Sequence, residues 1–146
     1  MVDAYVVDTG VFLRWFVKQV GWEHAREVRS DFLSEKLALE TADSVRAELT
    51  HVLRTKGLLT GRLNRAQYLV AVRAVDDLGV AIHSTDVDSL EQAAALAADH
   101  NLSVFDALMV HRSLERGLPL LTSDARLCRA VEGLVSTELL RGVDGP

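Results

Sequence analysis

The sequence predicts an α/β fold, a central parallel β-sheet flanked by helices on both faces. Short, unbroken apolar runs such as Ala4–Val7 alternate with longer stretches of helical periodicity. No two-residue hairpin signal joins any pair of these runs, so successive strands must be connected through helices. The 146 residues contain no linker, repeat or low-complexity segment, which predicts one domain spanning residues 1–146 with a loose tail from about Arg141.

The elements follow in order. Ala4–Val7, rich in β-branched residues, reads as a buried strand. Val11–Val17 and Trp22–Lys36 read as helices, the second with Val28, Phe32 and Leu33 inward, and Leu37–Thr41 reads as a strand. Asp43 or Ser44 caps a helix with the stripe Val45, Leu49, Val52 and Leu53, stopped near Gly57. A helix from about Arg62 to Asp77 precedes Gly79 and the strand Val80–His83. Asp86 or Asp88 caps an alanine-rich helix running to about His100, and Ser103 opens another that ends at Gly117-Leu118-Pro119. Leu120–Thr122 is a strand, Ala125–Val131 a short helix, and Leu134–Ser136 the expected last strand.

With 49% hydrophobic and 25% charged residues, the chain has the make-up of an ordinary globular protein. The single cysteine, Cys128, excludes an internal disulfide and suits a reducing cytoplasm, and no Cys/His cluster offers a structural zinc site. Asp3, Asp8 and Arg14 interrupt the apolar N-terminus too often for a signal peptide, and no run reaches the ~18 apolar residues of a membrane span. The expectation is a cytoplasmic protein without a membrane partner. Net charge is −5, yet residues 1–73 carry 11 Lys and Arg against 9 Asp and Glu, and residues 74–146 carry 5 against 12. The basic side chains Arg46, Arg54, Lys56, Arg62, Arg65 and Arg73 form either a solvated helical face or a groove that tracks a phosphate backbone.

Four carboxylates carry the chemistry. Asp8 and Asp124 end apolar strand runs, where ligands bind in open α/β sheets. Asp8 and Asp124 could each be a helix cap, and Ser103-Val104-Phe105-Asp106 reads as a capping box. Glu48 resists such an explanation: Val45, Leu49 and Val52 at i−3, i+1 and i+4 place it at the edge of the apolar stripe. Asp106 likewise has Leu102, Met109 and Val110 beside it. If folding gathers these four, their repulsion calls for a cation, which points to a divalent metal and metal-assisted phosphate chemistry.

The arrangement resembles the PIN-domain nucleases, and within them the toxins of VapBC-type toxin–antitoxin pairs, from Tyr5 to about Ala130. Val6-Val7-Asp8-Thr9-Gly10-Val11-Phe12 is similar to the first acidic motif, with Gly10 where a serine is more usual. Arg46-Ala47-Glu48-Leu49-Thr50-His51-Val52-Leu53 resembles the second, Leu102-Ser103-Val104-Phe105-Asp106-Ala107-Leu108 the third, and Leu120-Leu121-Thr122-Ser123-Asp124-Ala125-Arg126-Leu127 the fourth. The resemblance implies a single PIN-like domain and a Mg²⁺- or Mn²⁺-dependent endoribonuclease site built from Asp8, Glu48, Asp106 and Asp124, with supporting hydroxyls from Thr9 and Thr122. It also implies an RNA substrate, a small antitoxin protein occupying the acidic groove, and a homodimer. Exposed apolar residues of the second to fourth helices are candidates for the dimer contact. Trp15 and Trp22 could anchor it, although core packing suits both better.

Asp8 and Asp106 are expected to hold the principal ion. Asp124 and Glu48 would complete a second position or orient and deprotonate the attacking water. Glu48 and His51 share an E-x-x-H spacing, but the helix bundle in which that spacing binds iron needs a second copy that this chain lacks. His24, His83, His100 and His111 are expected at the surface or at helix ends. Three other readings remain: a binding module on the same fold, an RNA-processing nuclease outside any toxin–antitoxin pair, and a haloacid-dehalogenase-type phosphatase. The last needs an acid where Gly10 stands and a lysine in the later half, while the only lysines are Lys18, Lys36 and Lys56.

Overall fold

The computed structural model describes residues 3–143. Five strands, β1 (Asp3–Val7), β2 (Leu37–Ala42), β3 (Ala81–His83), β4 (Leu120–Thr122) and β5 (Thr137–Leu139), form one sheet in the order β3-β2-β1-β4-β5. Every pairing is parallel, with Val6 opposite Glu40 on one side and Leu120 on the other. Val6 and Val7 are fully buried because β1 is central and covered on both faces. The chain crosses from β1 outward to β3, then returns over β1 to β4. With right-handed crossovers that reversal puts the returning helices on the opposite face and makes β1/β4 the switch point of the sheet.

Helices α1 (Thr9–Leu13), α2 (Trp22–Leu33), α3 (Val45–Leu53) and α4 (Arg65–Asp77) belong to the outward crossovers. The return carries α5 (Val87–His100) and α6 (Val104–Arg116), and α7 (Ala125–Ala130) joins β4 to β5. Helix α6 lies against β1, β2 and β4, and α5 packs on it. Trp15 and Phe12 meet edge to face in the core at 4.9 Å, so Trp15 takes the packing role. Trp22 is only partly buried, flanked by Lys18 and Arg26 each 4.8 Å from its ring.

Several boundaries depart from the sequence reading. The first helix is Thr9–Leu13, and beyond it Arg14, Trp15 and Phe16 donate to carbonyls three residues back. This tighter winding brings Phe12, Trp15 and Val17 together into the core. The second helix stops at Leu33, short of Lys36, because Glu35 turns left-handed at φ 61°. Helix α3 ends at Leu53 and passes directly into a π-helical turn over Arg54–Leu58, so the helical run does stop near Gly57, but by widening rather than as a regular α-helix. Gly57 is buried there, and a Cβ would stand 2.6 Å from Leu63 Cδ1 and 3.3 Å from Val17 Cγ2.

Helix α4 begins at Arg65 rather than about Arg62. Asn64 and Gln67 form a capping box, Gln67 N–H donating to Asn64 Oδ1 at 2.8 Å and Asn64 N–H to Gln67 Oε1 at 2.9 Å. Asp86, not Asp88, caps α5, and neither candidate cap of α3 makes a capping bond: the Ser44 hydroxyl makes none, and Asp43 accepts from Thr85 instead. The last strand is Thr137–Leu139, not Leu134–Ser136. The backbone N–H groups of Leu134 and Val135 are spent on Val131 in the turn after α7. The expected loose tail falls mainly on residues 144–146, outside the described residues. Arg141 itself is tied, its backbone N–H to His24 Nδ1 at 2.8 Å and its guanidinium to Glu27 at 2.6 Å.

Filling the space at Gly57 should damage the core. Gly57→Val is expected to lower stability by about 1–3 kcal/mol, read as a lower urea midpoint at unchanged m-value; a midpoint equal to the parent's would show that Leu63 yields freely.

Candidate active site

Asp8, Glu48, Asp106 and Asp124 all line one cavity of about 440 Å³ at the carboxyl ends of β1 and β4. Each arrives there by a local device. Asp8 leaves β1 and caps α1, with Oδ1 accepting from Thr9 N–H at 2.9 Å. Asp124 leaves β4 and caps α7, with Oδ1 accepting from Arg126 and Leu127 N–H at 2.9 and 3.2 Å. Ser103 caps α6 by accepting from Asp106 N–H at 3.1 Å, which fixes the first turn that carries Asp106. Glu48 sits in the first turn of α3, between buried Val45 and Leu49. Helix capping and convergence thus coexist at Asp8 and Asp124: the cap uses Oδ1, and the residue still faces the shared cavity.

The two threonines tie the acids to one another. Thr122 Oγ1 donates to Asp8 Oδ2 at 2.8 Å and accepts from Asp124 N–H at 3.1 Å. Thr9 Oγ1 donates to Glu48 Oε1 in a short hydrogen bond. Asp8 is buried, and its carboxyl is pushed up to about 7, chiefly by that burial and next by the Asp106 charge. Burial also raises Glu48, with a further push from Asp106, and raises Asp106, with a push from Asp124. None of the four acids forms an ion pair among the described residues.

Four carboxylates that share a cavity and form no ion pair among the described residues are a donor set that hard, oxygen-seeking ions satisfy. Among the described residues no three His, Cys, Asp or Glu side chains close into a metal cage. Mg²⁺ commonly keeps waters and uses one or two carboxylates together with substrate phosphate, so it would not call for a cage of three side chains.

Four polar or charged lining residues were not singled out as site residues from the sequence: Arg14, Lys56, Ser123 and Arg126. Arg14 could have been found, since Gly10 and Arg14 are one helical turn apart and share a face. Of the basic stretch, Lys56 alone lines this cavity. Arg46 and Arg73 pair with Asp76 and Asp77 on α4, and Arg62 donates to the Lys18 carbonyl at 3.0 Å. The histidine expectation holds for His100, in the last turn of α5, and for His24, in the first turn of α2 although buried; it fails for His111, buried in the middle of α6, and His83 pairs with Glu40 at 2.6 Å.

The sequence model of the PIN domain matches residues 5–133. No curated protein sequence matches. Among solved structures, the fold is similar to Mycobacterium tuberculosis VapC20, a Sarcin-Ricin loop cleaving toxin, at TM-score 0.70 and 18% identity, covering 86% of this chain and 94% of that one. A toxin–antitoxin complex from Klebsiella pneumoniae matches at TM-score 0.63 and 15% identity, over 92% and 95% of the two chains. VapBC2 from Rickettsia felis, bound to a DNA fragment from its promoter, matches at TM-score 0.67 and 11% identity, over 93% and 98%. At these identities the likeness establishes a shared fold.

The crowding predicts a pH-dependent stability in metal-free protein. Folded Asp8 titrates at about 7 against an ordinary 3.8, so between those values the native state holds a proton that the unfolded chain releases. This group therefore costs stability as pH rises through that window. In EDTA, Asp8→Asn should be more stable than the parent at about pH 8, with a ceiling of about 4 kcal/mol, and the gain should vanish near pH 4. A difference between variant and parent that stays flat across that range in urea denaturation would contradict the assignment.

Proposed function

The chain belongs to the PIN domain family, and on that footing we propose that it is a Mg²⁺- or Mn²⁺-dependent endoribonuclease and the toxin of a VapBC-type toxin–antitoxin pair. The observation that carries the reading is the meeting of Asp8, Glu48, Asp106 and Asp124 in one cavity with no ion pair to any of them among the described residues. Asp8 and Asp106 would hold the principal ion. When bound, the metal supplies charge neutralisation at the phosphate and acidifies a water for attack. Thr122 holds Asp8 in place, and the Thr9 hydroxyl orients Glu48. Glu48, whose carboxyl is raised by burial, is suited to accept the proton of that water. Asp124 would share a second ion position with Glu48 or help to orient the nucleophile. In-line displacement then leaves 5′-phosphate and 3′-hydroxyl ends.

RNA as substrate is supported by the similarity in fold to VapC20, described as cleaving the Sarcin-Ricin loop. A small antitoxin in the acidic groove is supported by the likeness to the Klebsiella and Rickettsia complexes. Homodimerisation belongs to the same proposal, and Leu33 in α2 with Leu69 and Val70 in α4 offer exposed apolar surface for it. Among the described residues no helix is long and apolar enough to cross a membrane, which accords with a cytoplasmic site of action.

The decisive experiment is cleavage of single-stranded and hairpin RNA with Mg²⁺, with Mn²⁺ and with EDTA. Cutting should require the metal, and Asp8→Asn and Asp106→Asn should each slow it by about 10²-fold or more. Parent-like rates in both variants would overturn the roles assigned. Mn²⁺ binding without any cleavage would instead leave a binding module, and an acid-stable aspartyl-phosphate would point to a phosphatase.

A further inference from the structure

Among the cations that line the acidic cavity, Arg14 alone is held in a fixed orientation. Its Nε–H donates to the Val20 carbonyl at 2.7 Å, and Nη1 donates to the Gly10 carbonyl at 2.8 Å and to Ser123 Oγ at 3.0 Å. All three acceptors are neutral, and among the described residues no carboxylate pairs with this guanidinium. A guanidinium carries five N–H donors, so the two on Nη2 are left without a partner among the described residues. Lys56 and Arg126 line the same cavity but are exposed, and neither side chain forms a hydrogen bond among the described residues.

Gly10 makes this arrangement possible. A Cβ on residue 10 would stand 2.2 Å from Ser123 Oγ and 3.4 Å from Arg14 Nη1. Any side chain there must displace the Ser123 hydroxyl and with it one of the bonds that orient Arg14. The hydroxyl of Ser123 occupies the space that a residue-10 side chain would take. Glycine at 10, serine at 123 and arginine at 14 therefore form one unit, contributed by both ends of α1 and by the loop after β4.

We propose that Arg14, braced by Ser123 against Gly10, is the seat for a backbone phosphate of the nucleic-acid strand, with Nη2 donating to its non-bridging oxygens. The proposal rests on the nuclease reading and extends it by naming the group that admits an anion to a cavity walled by four acids. A guanidinium already oriented by neutral hydrogen-bond acceptors loses little freedom on binding, and although it feels the Asp8 charge it forms no ion pair among the described residues. A phosphate contact of this kind orders the strand without reading its bases.

The test is binding of a fluorescein-labelled single-stranded RNA oligonucleotide, followed by anisotropy in EDTA across a salt series. Arg14→Gln should weaken binding about tenfold and reduce the slope of log affinity against log salt by about 0.7, the value of one phosphate contact on a single strand. Ser123→Ala keeps the charge and frees the guanidinium, so its slope should match the parent's while affinity falls about threefold. Parent affinity and slope in Arg14→Gln would overturn the assignment, even if the parent cuts RNA with Mg²⁺. If Arg14→Gln fails to fold, parent affinity in Ser123→Ala overturns it instead. A parent that neither binds nor cuts RNA removes the nuclease reading, and this seat with it.

Discussion

Like charges crowded at the switch point of a parallel sheet are the constraint from which the rest of this structure takes its meaning. The strands β1 and β4 deliver Asp8 and Asp124 side by side, and α3 and α6 bring Glu48 and Asp106 to the same cavity. Such an arrangement opposes folding unless something offsets it. Part of the offset lies within the chain: Thr9, Thr122 and the helix N-terminal N–H groups donate to the acids. Hydrogen bonds without a countercharge relieve the crowding only in part, as the raised Asp8 shows. The remainder is a standing demand for a cation, and that demand is what the proposed chemistry uses.

The fold was legible where a segment obeys a single rule. Ala4–Val7 and Leu120–Thr122 are short buried runs, and a parallel sheet needs such runs at its centre. Ser103 and Gly117 bracket α6 as a cap and a left-handed stop. Legibility failed where tertiary packing decides. No local signal distinguishes a helix that ends at Gly57 from one that widens into a π turn there; the choice depends on Leu63 and Val17 filling the space beside that glycine. The last strand was displaced because pairing with β4 sets the register, and Leu120 meets Thr137. The box Asn64–Gln67 was a missed local signal rather than a hidden one.

At the site, the four acids were legible because two stand at strand ends and two lie on the apolar sides of helices. Their shared cavity is what the structure adds. The cations were legible only in part. Lys56 stands in the basic stretch and Arg14 one helical turn after Gly10, but a lone arginine in a sequence carries no sign of what its donors will meet. Only with the backbone folded does Ser123 arrive beside Gly10, making the glycine a requirement of its neighbours rather than an accident of the motif.

The sheet ends on both margins in strands of three residues, β3 and β5. So brief a margin offers an approaching chain almost no ladder to extend. Association with other polypeptides is thereby steered away from strand addition and onto the helical surfaces, where recognition depends on side-chain shape and charge and can diverge between paralogues without disturbing the scaffold beneath.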